Sequence, residues 1–387
     1  MRVIKNLIAT LPILVVSMAA TESFAGGART DVTSGVAPLE AALTLAQTPS
    51  KKTAGVDTLL VLREKTDSIE AVNLSAIFGR KPKDPLDLVA SVGREDILKA
   101  AASAPASNYL RVNLRTSPIL GTKHIAAGTN YVAHQEEAGI HSGFLFPKIS
   151  EPTPFISQVK AASRALMDYE VELCFRFQDD VDSIADFESS IKGFFICGDM
   201  SDRAELLRKV DVDDLASGIG FTDAKSGDDR FPVGPYTVVP VDWRQFVESV
   251  DLHTTVNGEL RQQSPASKMI KKADELVVDI LDNGQKNLWL YKGDQLPLIE
   301  NSYIGKDTAI LTGTPEGVIY DGISLWSKIV WGTQWAVSFG FLDGSVVSYV
   351  IEKTIQEGFS SKNYLQPGDQ VILGGTYLGS INLSIVE

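Results

Sequence analysis

The chain has 387 residues, a net charge of −13, 44% hydrophobic residues and two cysteines. That length supports two domains with well-buried cores, and two cysteines exclude a disulfide framework as the main source of stability. The acidic balance excludes nucleic acid and anionic membranes as natural partners, since both would meet a like-signed field. Met1 to Ala25 carries two early cations (Arg2, Lys5), an apolar stretch from Leu7 to Ala20, and Ser23-Phe24-Ala25, with small residues where a signal peptidase reads. This is the pattern of a cleavable secretory signal (1–25), too short and wrongly flanked for a lasting anchor. The expectation is an exported, periplasmic protein with no membrane span.

From Gly26 to about Ala54 the composition leans to Ala, Thr, Ser and Gly, a loose lead-in with one helix expected at Leu39–Leu45. A strand at Val56–Leu62, a helix at Arg94–Ala102 and a strand at Tyr109–Arg115 make 26–116 a small α+β region. After Ile119, short β-rich runs alternate with Gly-Pro and Asn-Gly punctuation, and 117–387 is read as one β-rich domain.

Within that domain, His134 and Glu137 lie three apart, one helical turn if a helix opens there. Glu137 could then orient the imidazole as a general-base dyad, although a solvent-facing polar turn has the same spacing. Glu170-Val171-Glu172 sits in an apolar, aromatic run. On a strand the two glutamates share a face, and with Asp199 they offer three hard oxygens to Mg²⁺, Mn²⁺ or Ca²⁺. A solvated strand face would give the same E-x-E pattern. Cys174 lies two past Glu172 and Cys197 two before Asp199, so an antiparallel pairing of Glu172 with Asp199 would set the cysteines opposite each other. Free, buried thiols are nevertheless the expectation. Lys225 is a positive partner for an anionic substrate or one more surface lysine. Ser267–Leu281 reads as an amphipathic helix whose apolar stripe is core. In Thr312-Gly313-Thr314-Pro315-Glu316-Gly317, both glycines would let backbone N–H groups approach an oxyanion, or simply form a turn. A segment at about 319–364, with Trp326, Trp331 and Trp335, is read as an insertion: a lid, an oligomer contact, a partner surface or an added core layer.

Taken in order, these loops resemble the fumarylacetoacetate hydrolase family. The carrying motifs are G-x-N-Y-x-x-H-x-x-E (Gly128–Glu137), D-Y-E-V-E-L (Asp168–Leu173), G-D-M-S-x-R (Gly198–Arg203), K-S with a later P-x-G-P (Lys225–Pro235), V-N-G-E-x-x-Q (Val256–Gln262) and T-G-T-P-x-G. The resemblance spans about 119–318 and resumes at Leu365. It implies an α+β, predominantly β mixed-sheet catalytic domain of that family's C-terminal type. It implies Glu170, Glu172 and Asp199 as ligands of Mg²⁺ or Mn²⁺, with His134, Glu137 and Lys225 as catalytic residues. Tyr131, Arg203, Gln262 and Thr314 become substrate-facing positions, and the expected assembly is a homodimer.

Ala127 stands where one branch of the family has a further aspartate ligand, so the site resembles the three-carboxylate branch. That branch holds acylpyruvate hydrolases, oxaloacetate decarboxylases and hydroxymuconate isomerases or decarboxylases. Ala266 stands where the family often has a threonine, putting one contact in doubt. The implied reaction is metal-dependent cleavage of a C–C bond in a small anionic 2,4-dioxo acid through a stabilised enolate. Decarboxylation or isomerisation of a 2-oxo acid at the same site, or an exported binding protein without turnover, are the alternatives.

Overall fold

A computed structural model describes residues 35–387 except 51–53, 141, 162–163, 212, 321, 323–330, 332–333 and 336–344. The expected signal segment 1–25 and Trp326 therefore lie outside the described residues. The core is a ten-stranded mixed sheet. Its order is Ser107–Leu110, Ser68–Asn73, Val56–Glu64, Ala42–Pro49, Tyr236–Pro240, Lys192–Gly198, Val171–Phe177, Ile310–Leu311, Lys123–Gly128 and Phe144–Ile149. The α+β region expected over 26–116 thus contributes four strands to the sheet that also carries Glu172. A second sheet, Glu259–Pro265, Asp251–Val256, Gln370–Gly375, Gly379–Val386 and Ile156–Lys160, joins the chain's last strand to a strand more than 200 residues earlier. Among the described residues, no helix is long and apolar enough to cross a membrane.

Val171–Phe177 is buried along its whole length, as befits a central strand rich in aromatic and branched residues. The expected helix at Leu39–Leu45 is instead largely strand. Ala42–Ala46 pairs with Tyr236–Pro240 on one side while Leu45–Pro49 pairs with Val56–Leu60 on the other, and this two-sided burial overrides the helix propensity of Ala and Leu. The strand expected through Arg115 stops at Leu110 and tightens into a 3₁₀ turn at Arg111–Asn113, because the buried Arg111 must meet Glu64 at 2.8 Å and Ser380. The helix expected from Ser267 begins only at Ala273. Ala266–Lys268 is a separate 3₁₀ turn, and Glu275 closes a capping box on the Lys272 amide.

The cysteines are bridged, not free. Val171–Phe177 and Lys192–Gly198 run antiparallel with Glu172 opposite Cys197, a register two residues away from the Glu172–Asp199 pairing. Cys174 and Cys197 become diagonal neighbours on one face, with Cα atoms 6.0 Å apart, within the span a disulfide bridges. The pair closes a loop over a sequence separation of 23. Cys174→Ser is expected to lower unfolding free energy by about 3 kcal/mol through loop-closure entropy. Urea titration of oxidised and reduced protein checks this, and coincident curves would refute it.

In the segment read as an insertion, the helix Val346–Ser361 adds a small satellite core. Ile355 joins Leu166, Ala204, Leu207 and Tyr364, so the helix lies along Arg203–Lys209 beside the site described next.

Candidate active site

Glu170, Glu172 and Asp199 converge. Each offers a carboxylate oxygen, and these oxygens lie within 4.8 Å of one another in the buried interior. Glu172 projects from the central strand, Glu170 from the residue before it, and Asp199 from the residue after the Lys192–Gly198 strand. The Asp199 amide donates to the Glu170 carbonyl at 2.9 Å, which ties the two strand ends together.

Three buried cations enter the cluster. Lys225 Nζ lies 2.7 Å from Glu170 and 2.9 Å from Asp199. Arg203 bridges Asp168 at 2.8 Å and Glu170 at 2.6 Å. Lys148 Nζ meets Asp199 at 2.6 Å and also donates to the Lys225 carbonyl. Asp168, Glu170, Glu172 and Asp199 carry one more charge than these three cations compensate, and the surplus falls on Glu172. Its Oε2 accepts the Gly313 amide at 2.6 Å, while its Oε1 has no hydrogen-bond partner among the described residues. Burial, then Asp199, then Glu170 push the Glu172 carboxyl well above its ordinary range. Burial alone would also raise Glu170, but Lys225 and Arg203 outweigh it and hold that carboxyl at about 2. An orphaned carboxylate oxygen beside two other hard oxygens fits a divalent cation, and the cluster can hold one.

Without metal, Glu172 binds its proton more tightly folded than unfolded. Its contribution to stability is fully present below the ordinary carboxylate range and is lost as pH rises toward its raised folded value. Mg²⁺ or Mn²⁺ binding is therefore expected to release a proton, and the metal-induced rise in Tm to grow as pH climbs above the ordinary carboxylate range. Calorimetry in buffers of different ionisation enthalpy reads the proton directly. Binding with no buffer dependence would refute the assignment.

His134 and Glu137 occupy the short helix Val132–Ala138, which Gly139 ends in a left-handed conformation. His134 Nδ1 and Glu137 Oε2 are 3.2 Å apart, and Glu137 Oε1 accepts the Gly317 amide at 2.9 Å. The two loop amides expected to meet an oxyanion are thus spent on carboxylates, Gly313 on Glu172 and Gly317 on Glu137. Both glycines have φ above +90°, and a side-chain carbon at Gly317 would sit 2.2 Å from the Arg261 carbonyl oxygen.

One cavity collects His134, Glu170, Asp199, Arg203, Lys225 and Thr314. Thr314 donates to the Val171 carbonyl at 3.0 Å and accepts from Gln262 at 2.9 Å. Gln262 spends its amide on Thr254, Thr314, Pro315 and the Val171 N–H, so it holds the wall in place. Tyr131 is buried with its hydroxyl unpartnered among the described residues, and burial raises its pKa. Lys148 is the residue the sequence reading missed. A lysine within the apolar strand Phe144–Ile149 is its only local signal.

The family profile described as fumarylacetoacetate (FAA) hydrolase C-terminal matches residues 123–386. The chain is 30% identical over 216 residues to the mitochondrial oxaloacetate tautomerase FAHD1 of Arabidopsis thaliana, covering 51% of this chain and 81% of that protein. The fumarylacetoacetate hydrolase of psychrophilic Exiguobacterium antarcticum aligns with a TM-score of 0.55 at 17% identity, over 89% of this chain and 99% of that one. The maleylpyruvate hydrolase of Sphingobium sp. SYK-6 aligns with a TM-score of 0.53 at 17% identity, with the same coverage. At these identities the alignments establish the fold alone.

Proposed function

The chain belongs to the fumarylacetoacetate hydrolase family, and from that premise we propose that it is a divalent-metal-dependent hydrolase cleaving a C–C bond in an acylpyruvate-like 2,4-dioxo acid. The observation that carries this reading is one cavity lined by His134 of the dyad and by Glu170 and Asp199 of the carboxylate cluster. A cation held by Glu170, Glu172 and Asp199 would supply Lewis acidity toward the oxo-acid head of the substrate. Glu137 holds the His134 Nδ1–H, which leaves Nε2 to take a proton from water as the acyl carbon is attacked. Lys225 and Arg203 keep Glu170 ionised and fix it in place. Thr314, set by Gln262, forms part of the cavity wall.

The 30% identity to an oxaloacetate tautomerase favours a second reading, in which the same dyad moves a proton between carbon and oxygen with no water attack. Assay of acetylpyruvate and oxaloacetate with Mg²⁺ and Mn²⁺, following cleavage, decarboxylation and enol–keto exchange separately, tests both. Cleavage of acetylpyruvate supports the hydrolase. Exchange of oxaloacetate without cleavage of either compound replaces it with the tautomerase, and no turnover of either removes the enzyme reading. We also propose export through the 1–25 leader, which the disulfide supports because such bonds persist in oxidising compartments. Homodimeric assembly belongs to the same proposal. Cell fractionation and light scattering test these two points.

A further inference from the structure

Every charged group lining the catalytic cavity sits at its carboxylate end: His134, Glu170, Asp199, Arg203 and Lys225. The remainder of the wall is mostly apolar, with Ile140, Phe146, Leu207, Val210, Leu215 and Phe221. The cavity is narrow, about 70 Å³. Ala138, Leu207, Val210, Leu215 and Tyr320 also line an adjoining groove of about 630 Å³, open to solvent, which Val346, Val347, Val350 and Ile351 of the Val346–Ser361 helix line as well. Among the described residues, the only charged groups lining that groove are the acids Glu136 and Glu137. A substrate with a second carboxylate at its far end would find no cation there among the described residues and would meet two like charges. An alkyl chain would exchange water for aliphatic and aromatic contact.

We propose that this apolar passage takes the tail of the substrate, and that the protein selects 2-oxo acids bearing an unbranched alkyl or alkanoyl chain over diacids of equal length. The proposal rests on the 2-oxo acid chemistry assigned above to the carboxylate end. Leu207, Val210 and Leu215 line both spaces, so they set the preference, and the Val346–Ser361 helix supplies the outer contact.

The test is binding, which needs no turnover. The full chain loaded with Mn²⁺ is titrated calorimetrically with pyruvate, 2-oxobutanoate, 2-oxohexanoate and 2-oxooctanoate, and with the diacid 2-oxoadipate. Affinity is expected to rise about fourfold per added methylene until the passage is filled. The six-carbon 2-oxohexanoate should bind at least roughly tenfold more tightly than 2-oxoadipate, because a buried unpaired carboxylate is costly. Val210→Asp, at a half-buried position, should reduce the gain from pyruvate to 2-oxooctanoate to below about twofold, and Leu207→Ala should reduce it in part. Equal affinity along the series, or tighter binding of the diacid, overturns the tail pocket and leaves the proposed function standing. Failure of every 2-oxo acid to bind, pyruvate included, brings down the function and the tail pocket together.

Discussion

Glu137→Gln is expected to lower acylpyruvate hydrolysis by about 10²–10⁴-fold, while oxaloacetate decarboxylation, if the protein catalyses both, falls less. The reason lies in which proton the imidazole carries. Glu137 accepts from His134 Nδ1 through Oε2 and from the Gly317 amide through Oε1. In the variant, the amide oxygen still serves Gly317, so the NH₂ group faces Nδ1. A donor there forces Nδ1 to accept, the ring proton moves to Nε2, and the nitrogen needed as a base is blocked. Attack by water requires that base, whereas loss of CO₂ from a chelated 2-oxo acid needs chiefly an electron sink. Steady-state kinetics on both substrates, with metal affinity measured in parallel, separate the cases. Equal loss of both activities at unchanged metal affinity would assign the dyad to a proton transfer common to both reactions. No loss in either would make His134 and Glu137 structural.

The second large effect is a contrast in stability between two carboxylates of the cluster. Asp199 accepts from Lys148 at 2.6 Å and from Lys225 at 2.9 Å, and all three side chains are buried. Asp199→Ala strips a shared partner from two buried ammonium groups and is expected to cost about 3–5 kcal/mol even without metal. Glu172 is the reverse case, because its charge is the uncompensated one. Glu172→Gln should abolish tight metal binding yet leave the metal-free protein as stable as before, or more so. Unfolding by urea in the presence of a chelator reads both variants. Similar destabilisation by the two would mean the charges are shared evenly across the cluster, against the arrangement described here.

The clustering of Glu170, Glu172 and Asp199 was legible in the sequence because its signals are local. Two glutamates at strand spacing inside an apolar run, and an aspartate after a second such run, need only the two strand ends to meet. The His134–Glu137 pair was legible for the same reason, one helical turn apart. Partners distant in sequence were not. Lys148 reads as an ordinary lysine until the fold brings it to Asp199, 51 residues away. The Gly313 and Gly317 amides look free to receive substrate until Glu172 and Glu137 are seen to occupy them. The expectation of free cysteines failed although their offsets from Glu172 and Asp199 allowed a bridge: the register lies two residues from the one those offsets suggest, and the cysteines bond as a diagonal pair. At Ala42–Pro49, pairing with the next strand and with Tyr236–Pro240 far along the chain decided the conformation, and local propensity pointed the other way.

Gly313 and Gly317 stand four residues apart, and each holds one acid. The distance between Glu172 and Glu137 is therefore bounded by a short run of covalent backbone. Bond lengths and planar peptides do not relax when neighbouring side chains change, whereas packed cores shift by tenths of an ångström with every altered methyl group. Drift in the two sheets that carried Glu172 and Glu137 beyond the reach of that run would break one of its two hydrogen bonds. A lineage can change the apolar residues around the cavity while one short loop keeps Glu172 and Glu137 within reach of each other.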